Sequence, residues 1–183
     1  MTALQNGYLL DSNVISFLVR TRDTRHPVVL ARLAAIGDSP VLLPVIAIAE
    51  IECGMAKAEK PDPAQQASMR SFFVRYPNPL PIDRNTVEPY ALVRAELWRQ
   101  CATRRNRGHK EKLPEDLIDR VTGKELGIDE RDLLIASVAI QYNLVLATAD
   151  RNAGMQRIEQ AAANLEAQRK PVHLVVEDWS LPA

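Results

Sequence analysis

Short apolar runs alternate along this chain with longer stretches in which apolar residues recur at helical spacing. The strand candidates are Tyr8–Leu10, Val41–Leu43 and Leu144–Thr148, and Val172–Val176 closes the series. Strands that alternate with helices favour a parallel sheet covered on both faces, since each crossover helix must pack back onto the sheet. We therefore predict an α/β fold with three layers, α/β/α, and a central, mainly parallel sheet.

The length of 183 residues, 46% of them hydrophobic, suffices for one domain with a substantial core. We expect a single domain over residues 1–183. Residues 104–125 lack periodicity and are predicted to be an insertion or long loop, with a helical turn near Leu117–Ile118. Residues 160–183 are predicted to be a C-terminal extension that carries the last strand. The helix predicted from Pro44 to Lys57 is apolar almost all round, which favours a buried position.

The charge balance excludes a strongly basic protein, because 23 Lys and Arg residues balance 23 Asp and Glu residues. Any nucleic-acid binding must therefore depend on local patches. Arg20, Arg22 and Arg25 form one candidate patch for RNA contact. The run from Arg104 to Lys112 is a second, which could contact RNA phosphates, contact an acidic partner or simply be a solvated loop.

Cysteine usage and hydropathy bear on the compartment. Cys53 and Cys101 have no CxxC spacing, which favours a reducing environment, and both are predicted to be core thiols. No segment approaches the roughly 18 apolar residues of a membrane span. We expect a soluble, cytoplasmic protein without a membrane partner.

Four carboxylates lie where apolar chain meets a predicted helix or strand: Asp11, Glu50, Asp132 and Asp150. A charge held against apolar neighbours costs several kcal/mol unless it is paired, neutralised or bound to a metal. Asp11 and Asp150 each follow a predicted strand, and ligands gather at the carboxyl ends of parallel strands. Oxygen ligands suit Mg²⁺ or Mn²⁺. The pattern therefore indicates a site for one or two divalent ions.

Each acid also has a purely structural alternative. Asp11 could cap the helix that begins at Ser12, and Asp150 could cap the helix that begins near Asn152. Asp132 could stabilise the first turn of a helix capped by Asp129, and Glu50 could belong to a buried ion pair. Capping does not explain Glu50, which lies in the middle of an apolar helix.

The four acids stand in four sequence motifs: Leu9-Leu-Asp11-Ser12-Asn13, Ala49-Glu50-Ile51-Glu-Cys-Gly54, Asp132-Leu-Leu-Ile-Ala136, and Leu146-Ala-Thr148-Ala-Asp150. In this order they resemble the PIN-domain ribonucleases, and most of all their VapC-type toxin branch. The resemblance runs from about Tyr8 to Arg157.

The resemblance implies a PIN-like domain with Mg²⁺- or Mn²⁺-dependent endoribonuclease activity, the toxin of a toxin-antitoxin pair. It maps the catalytic and metal-binding acids onto Asp11, Glu50, Asp132 and Asp150, and Thr148 onto a hydroxyl that orients the last acid. Ser12 and Asn13 are expected to support the site. It further implies a homodimer and a small VapB-like antitoxin. We expect an ion-activated water to hydrolyse RNA phosphodiester bonds.

The chain departs from the family pattern in two places near these acids. The second motif usually has Thr or Ser three residues before the glutamate, where this chain has Ala47. After Asp150 the family commonly has another acid and an aromatic residue, and this chain has neither. An RNA-processing nuclease and a non-catalytic scaffold of the same fold remain alternatives. A haloacid-dehalogenase-type phosphatase would require an aspartate where Asn13 stands.

Overall fold

A computed structural model describes residues 6–103, 113–149 and 152–182 of the chain. Its helices and strands follow one another in this order: β1 (Tyr8–Leu10), α1 (Ser12–Val19), α2 (His26–Ala35), β2 (Val41–Leu42), α3 (Val45–Ala56), α4 (Pro63–Val74), α5 (Val87–Gln100), β3 (Ala102–Thr103), β4 (Leu117–Ile118), α6 (Glu130–Tyr142), β5 (Val145–Thr148), α7 (Ala153–Ala167) and β6 (Val175–Asp178). Short 3-10 helices cover Arg84–Thr86 and Pro114–Asp116.

The main sheet has four parallel strands in the order β2-β1-β5-β6. β1 and β5 are central neighbours, and Leu10 lies opposite Ala147 in their register. All four residues of β5 are buried, as expected for a strand covered by helices on both faces. The predicted three-layer α/β/α fold with a mainly parallel sheet is confirmed.

The last strand begins three residues later than its predicted start at Val172, and it pairs with β5 at the edge of the sheet. Trp179 follows it, is fully buried, and donates its backbone N–H to the carbonyl oxygen of Thr148 at 2.7 Å. The C-terminal residues therefore complete the sheet and contribute the largest buried side chain of the core.

Helix α3 differs from the buried helix predicted from its composition. It contacts α1 and α6 on one side, and the opposite face, with Val45, Ala49, Cys53 and Ala56, is exposed. The prediction that both cysteines are core thiols is therefore wrong for Cys53, whereas Cys101 is buried. Apolar composition alone does not show whether neighbouring helices surround a helix.

The described part of the predicted insertion, residues 113–125, is folded onto the domain. Leu117–Ile118 forms a strand antiparallel to β3. The helical turn predicted near these residues lies directly before them, in the 3-10 helix Pro114–Asp116. The Asp119 side chain accepts hydrogen bonds from two following backbone N–H groups and pairs with Arg157 at 2.9 Å. Residues 104–112, with their basic run, lie outside the described residues.

No helix in the described ranges is both long enough and apolar enough to cross a membrane.

Candidate active site

Asp11 follows β1 directly and is almost completely buried, with 4% of its surface exposed. One carboxylate oxygen, Oδ1, accepts the backbone N–H of Ser12 at 2.6 Å, which caps α1. The other, Oδ2, accepts the Thr148 hydroxyl at 2.8 Å. Because β1 and β5 are adjacent and parallel, the residues at their carboxyl ends meet at one edge of the sheet. The strand register thus explains a contact between residues far apart in sequence.

The Asn13 side chain connects the same two strand ends. Its Nδ2 donates to Asp11 Oδ2 at 2.8 Å and approaches Thr148 Oγ1 at 3.2 Å. Its Oδ1 accepts the backbone N–H of Ala149 at 2.9 Å. Charge-assisted hydrogen bonds of this kind fix the rotamer of a buried carboxylate. The residues predicted to support the site, Ser12, Asn13 and Thr148, therefore all contact Asp11.

Glu50 and Asp132 reach the same region from two other elements. Glu50 lies midway along α3, and Asp132 lies in the first turn of α6. With Asp11 they line one cavity of about 300 Å³, which we call the acidic cavity. Three of the four predicted acids are thus brought together from three separate segments. Asp150 lies outside the described residues, as does any contact between it and Thr148.

The pKa of Glu50 is raised above its ordinary value. Burial is the main cause, and the carboxylates of Asp11 and Asp129 raise the pKa further. A hydrogen bond from the Ser12 side chain and the positive charge of Arg131 lower it, but burial prevails. Ala47, one turn before Glu50, is completely buried and offers Glu50 no hydroxyl.

Arg131 is the site residue that the sequence did not indicate. Its Nη1 lies 3.1 Å from Glu50 Oε1, and its Nε donates to Asp129 Oδ1 at 2.8 Å. Its Nη2 donates to the second oxygen of Asp129. Hydrogen bonding from the Arg131 side chain holds the pKa of Asp129 below its usual range. An arginine one residue before a predicted ligand, in the first turn of a helix, was the available signal.

The structural alternatives for the acids are partly realised. Asp11 does cap α1, and Glu50 does form an ion pair. The cap of α6 is Asp129, whose side chain accepts the backbone N–H of Arg131. The cap of α7 is Asn152, which accepts the N–H of Met155 at 2.8 Å. Asp132 lies in the first turn of the helix that Asp129 caps, so its structural alternative is realised too, whereas the cap of α7 is Asn152 and not Asp150.

The donor chemistry of the acidic cavity fits a divalent ion. Asp11, Glu50 and Asp132 offer carboxylate oxygens, the ligands that Mg²⁺ and Mn²⁺ prefer. Across residues 6–103, 113–149 and 152–182, however, no three acidic, histidine or cysteine side chains approach closely enough to hold an ion as they stand. The ion pair between Glu50 and Arg131 commits one carboxylate oxygen of Glu50 to a guanidinium.

A groove leads away from the acidic cavity between α1, α3 and α4. A cavity of about 350 Å³ shares Ser12, Asn13 and Glu50 with the acidic cavity and extends to Arg20 and Lys60. A further cavity of about 490 Å³ continues past Arg20 and includes Arg22. We call these two cavities together the α1–α4 groove. It joins the acids to a region with cationic side chains.

The three arginines predicted to contact RNA differ in their surroundings. Arg20 lines both parts of the α1–α4 groove, and Arg22 lines its outer part. Arg25 does not line it. The guanidinium of Arg25 contacts both carboxylate oxygens of Asp23 at 2.9 and 3.1 Å and lies 3.6 Å from the centre of the Phe17 ring.

The fold and the site together define a class: an α/β domain whose parallel sheet carries an acid-lined cavity at the carboxyl ends of its central strands. The model of the PIN domain family matches residues 8–160, which is most of the chain. The chain therefore belongs to the PIN domain family. Among curated proteins, none matches it.

Several solved structures share this fold. FitAcB from Neisseria gonorrhoeae is similar with a TM-score of 0.60 and 23% identity, over 95% of this chain and 99% of the other. VapBC2 from Rickettsia felis, bound to a DNA fragment from its promoter, has a TM-score of 0.55 and 22% identity, over 93% and 98%. VapBC-5 from Mycobacterium tuberculosis, a member of the VapBC family of toxin-antitoxin systems, has a TM-score of 0.54 and 18% identity, over 94% and 99%.

Proposed function

We propose that this protein is a metal-dependent endoribonuclease and the toxin of a toxin-antitoxin pair. The observation that carries the proposal is the convergence of Asp11, Glu50 and Asp132 on one cavity in a chain that belongs to the PIN domain family. Three carboxylates that face one cavity repel one another unless a cation is shared between them. Mg²⁺ or Mn²⁺ is that cation in this proposal.

Asp11, Glu50 and Asp132 would hold the ion, with Asp150 as a fourth acid. A bound divalent ion lowers the pKa of water and neutralises charge that develops on a phosphodiester during hydrolysis. In this proposal the protein holds these carboxylates in place before the substrate binds. Ser12, Asn13 and Thr148 do so for Asp11 through the hydrogen bonds described above.

The α1–α4 groove is the proposed track for RNA. It begins at Glu50 and continues to Arg20 and Lys60. Arg20 and Arg22 would contact phosphates, which contributes affinity without sequence specificity. Arg25 would act indirectly, because its pair with Asp23 orders the segment that carries Arg20 and Arg22.

The partners in this proposal are a VapB-like antitoxin and a second copy of the chain. One structural neighbour, VapBC-5, is by its own description a member of a family of toxin-antitoxin systems, which supports the antitoxin. The exposed face of α3, with Val45, Ala49, Cys53 and Ala56, supports a protein interface, since small apolar side chains allow close packing of helices. Light scattering of the purified chain tests the homodimer.

An RNase assay on purified, antitoxin-free protein tests the catalytic part. We expect cleavage of single-stranded RNA with Mg²⁺ or Mn²⁺, no cleavage in EDTA, and a loss of at least about 100-fold in Asp11→Asn, the scale on which electrostatic site groups act. Asp38→Asn is the matched control, because Asp38 is exposed and does not line the acidic cavity. Cleavage that persists in EDTA, or a fully active Asp11→Asn, contradicts the proposal.

Expression of the chain alone separates a toxin from an RNA-processing nuclease. A toxin should arrest growth of a bacterial host, and co-expression of the small neighbouring gene should relieve the arrest. Asp11→Asn should abolish the arrest. RNase activity without growth arrest would favour the processing nuclease, and the absence of both would favour a non-catalytic scaffold.

A further inference from the structure

We propose that Arg131 acts as an internal counter-cation, which occupies the acidic cavity in the metal-free protein and competes with the divalent ion for Glu50. This inference rests on the proposed function, since it assumes that an ion binds to the acids. It assigns to Arg131 a part in setting metal affinity.

The geometry places the arginine among the acids. All three guanidinium nitrogens are engaged, Nη1 by Glu50 at 3.1 Å, and Nε and Nη2 by Asp129. The nearby charge of Asp132 also contributes to the electrostatic field at the guanidinium. Among the described residues that line the acidic cavity, Arg131 is the only cation. It therefore supplies the positive charge that the acids require.

The two cations compete at Glu50 through their charges. The guanidinium engages one Glu50 oxygen, Oε1, and a divalent ion bound to the same carboxylate would lie a few ångströms away, where two positive charges repel each other. A guanidinium remains charged at every physiological pH, so deprotonation cannot remove the competitor. The guanidinium therefore weakens metal binding while it stays at Glu50, and a bound ion favours movement of the Arg131 side chain into solvent.

The exposure of Arg131 makes that displacement feasible. Its side chain is 55% exposed, so it can turn into solvent without opening the core. The cap of α6 would survive, because Asp129 also accepts the backbone N–H of Arg131 at 2.8 Å. A substitution of the side chain thus removes the competing charge and leaves the helix start in place.

Calorimetric titration of Mn²⁺ into the full chain, without RNA and at pH 7.5, tests the inference. We expect Arg131→Gln to bind Mn²⁺ roughly tenfold more tightly than the unaltered protein, the effect of about 1.4 kcal/mol of competition removed. Arg70→Gln is the matched control. It removes an arginine of α4 that pairs at 3.2 Å with Glu52 of α3, outside the acidic cavity, and should leave the affinity unchanged.

The possible outcomes of the titration test the inference and the proposed function separately. If the unaltered protein binds Mn²⁺ and Arg131→Gln binds it equally or less tightly, the competition is refuted and the metal site stands. If neither binds Mn²⁺, the proposed metal site fails and the inference fails with it. Should Arg131→Gln not fold, Arg131→Met removes the charge and keeps a side chain with a long aliphatic stem. We expect its affinity to exceed that of the unaltered protein, and an equal or lower affinity would again refute the competition.

Discussion

The hydrogen bond from Thr148 to Asp11 predicts a measurable cost in stability when the hydroxyl is removed. Thr148→Val keeps the shape of a side chain that is completely buried and deletes the donor to Asp11 Oδ2 at 2.8 Å. A hydrogen bond to a charged group contributes about 1.5–3 kcal/mol, and Asp11 Oδ2 keeps the hydrogen bond from Asn13 when the hydroxyl is removed. We expect a loss of this size in the free energy of unfolding.

The measurement is urea unfolding followed by far-ultraviolet circular dichroism, in EDTA so that no ion stabilises the acids. In a separate thermal melt followed by the same signal, the melting temperature should fall by about 3–12 °C, at roughly 2–4 °C per kcal/mol for a chain of this size. Ser137→Ala is the matched control. It deletes a hydroxyl that is equally buried but donates to the uncharged carbonyl of Leu133 at 2.7 Å, which should cost only about 0.5–1.5 kcal/mol.

The free energies of unfolding of Thr148→Val and Ser137→Ala test whether the Thr148 hydroxyl holds a charged carboxylate. If Thr148→Val is no less stable than Ser137→Ala, the hydroxyl does not hold a charged carboxylate, and the account of how Asp11 is positioned is wrong. A changed slope of free energy against urea would instead indicate an altered denatured or native state.

Three further predictions concern other parts of the molecule. Because the pKa of Glu50 is raised in the folded protein, its contribution to stability is present below its unfolded pKa of about 4.3 and is lost as pH rises through the folded value. Metal-free Glu50→Gln should therefore gain stability relative to the unaltered protein as pH rises from 4 to 7 in urea unfolding. Gly154→Ala should cost about 1–3 kcal/mol, because its Cβ would lie 2.1 Å from the carbonyl oxygen of Gly127. Thiol titration with a maleimide should label Cys53 at once and Cys101 only on unfolding, since Cys101 is buried and its pKa is raised by burial.

Each of these has a result that would contradict it. A stability difference between Glu50→Gln and the unaltered protein that does not vary with pH would show that burial does not perturb Glu50. Gly54→Ala is the control for Gly154, because nothing lies within 4 Å of its added Cβ. An equal effect of the two glycine substitutions would refute the close approach of α7 to the loop before α6. Immediate labelling of both thiols would contradict the burial of Cys101.

The order of helices and strands could be predicted from the sequence because local signals specify it. Apolar runs marked β1, β2 and β5 closely, and Asp129 was correctly predicted to cap α6. The sequence did not predict the strand at Leu117–Ile118 or the later start of β6, because periodicity is weak there. Short strands of this kind form because a partner strand is present, and a partner is not a local property.

The candidate site, too, could be predicted only in part from the sequence. From the sequence alone, four acids at the ends of apolar segments indicated a cation site, and their order indicated the PIN family. Only the tertiary structure decided that Asp11, Glu50 and Asp132 share one cavity and that Arg131 enters it. The physical reason is that residue type and spacing determine propensity and capping within a few residues. Distances between separate segments depend on strand register and helix packing, which the whole chain decides together.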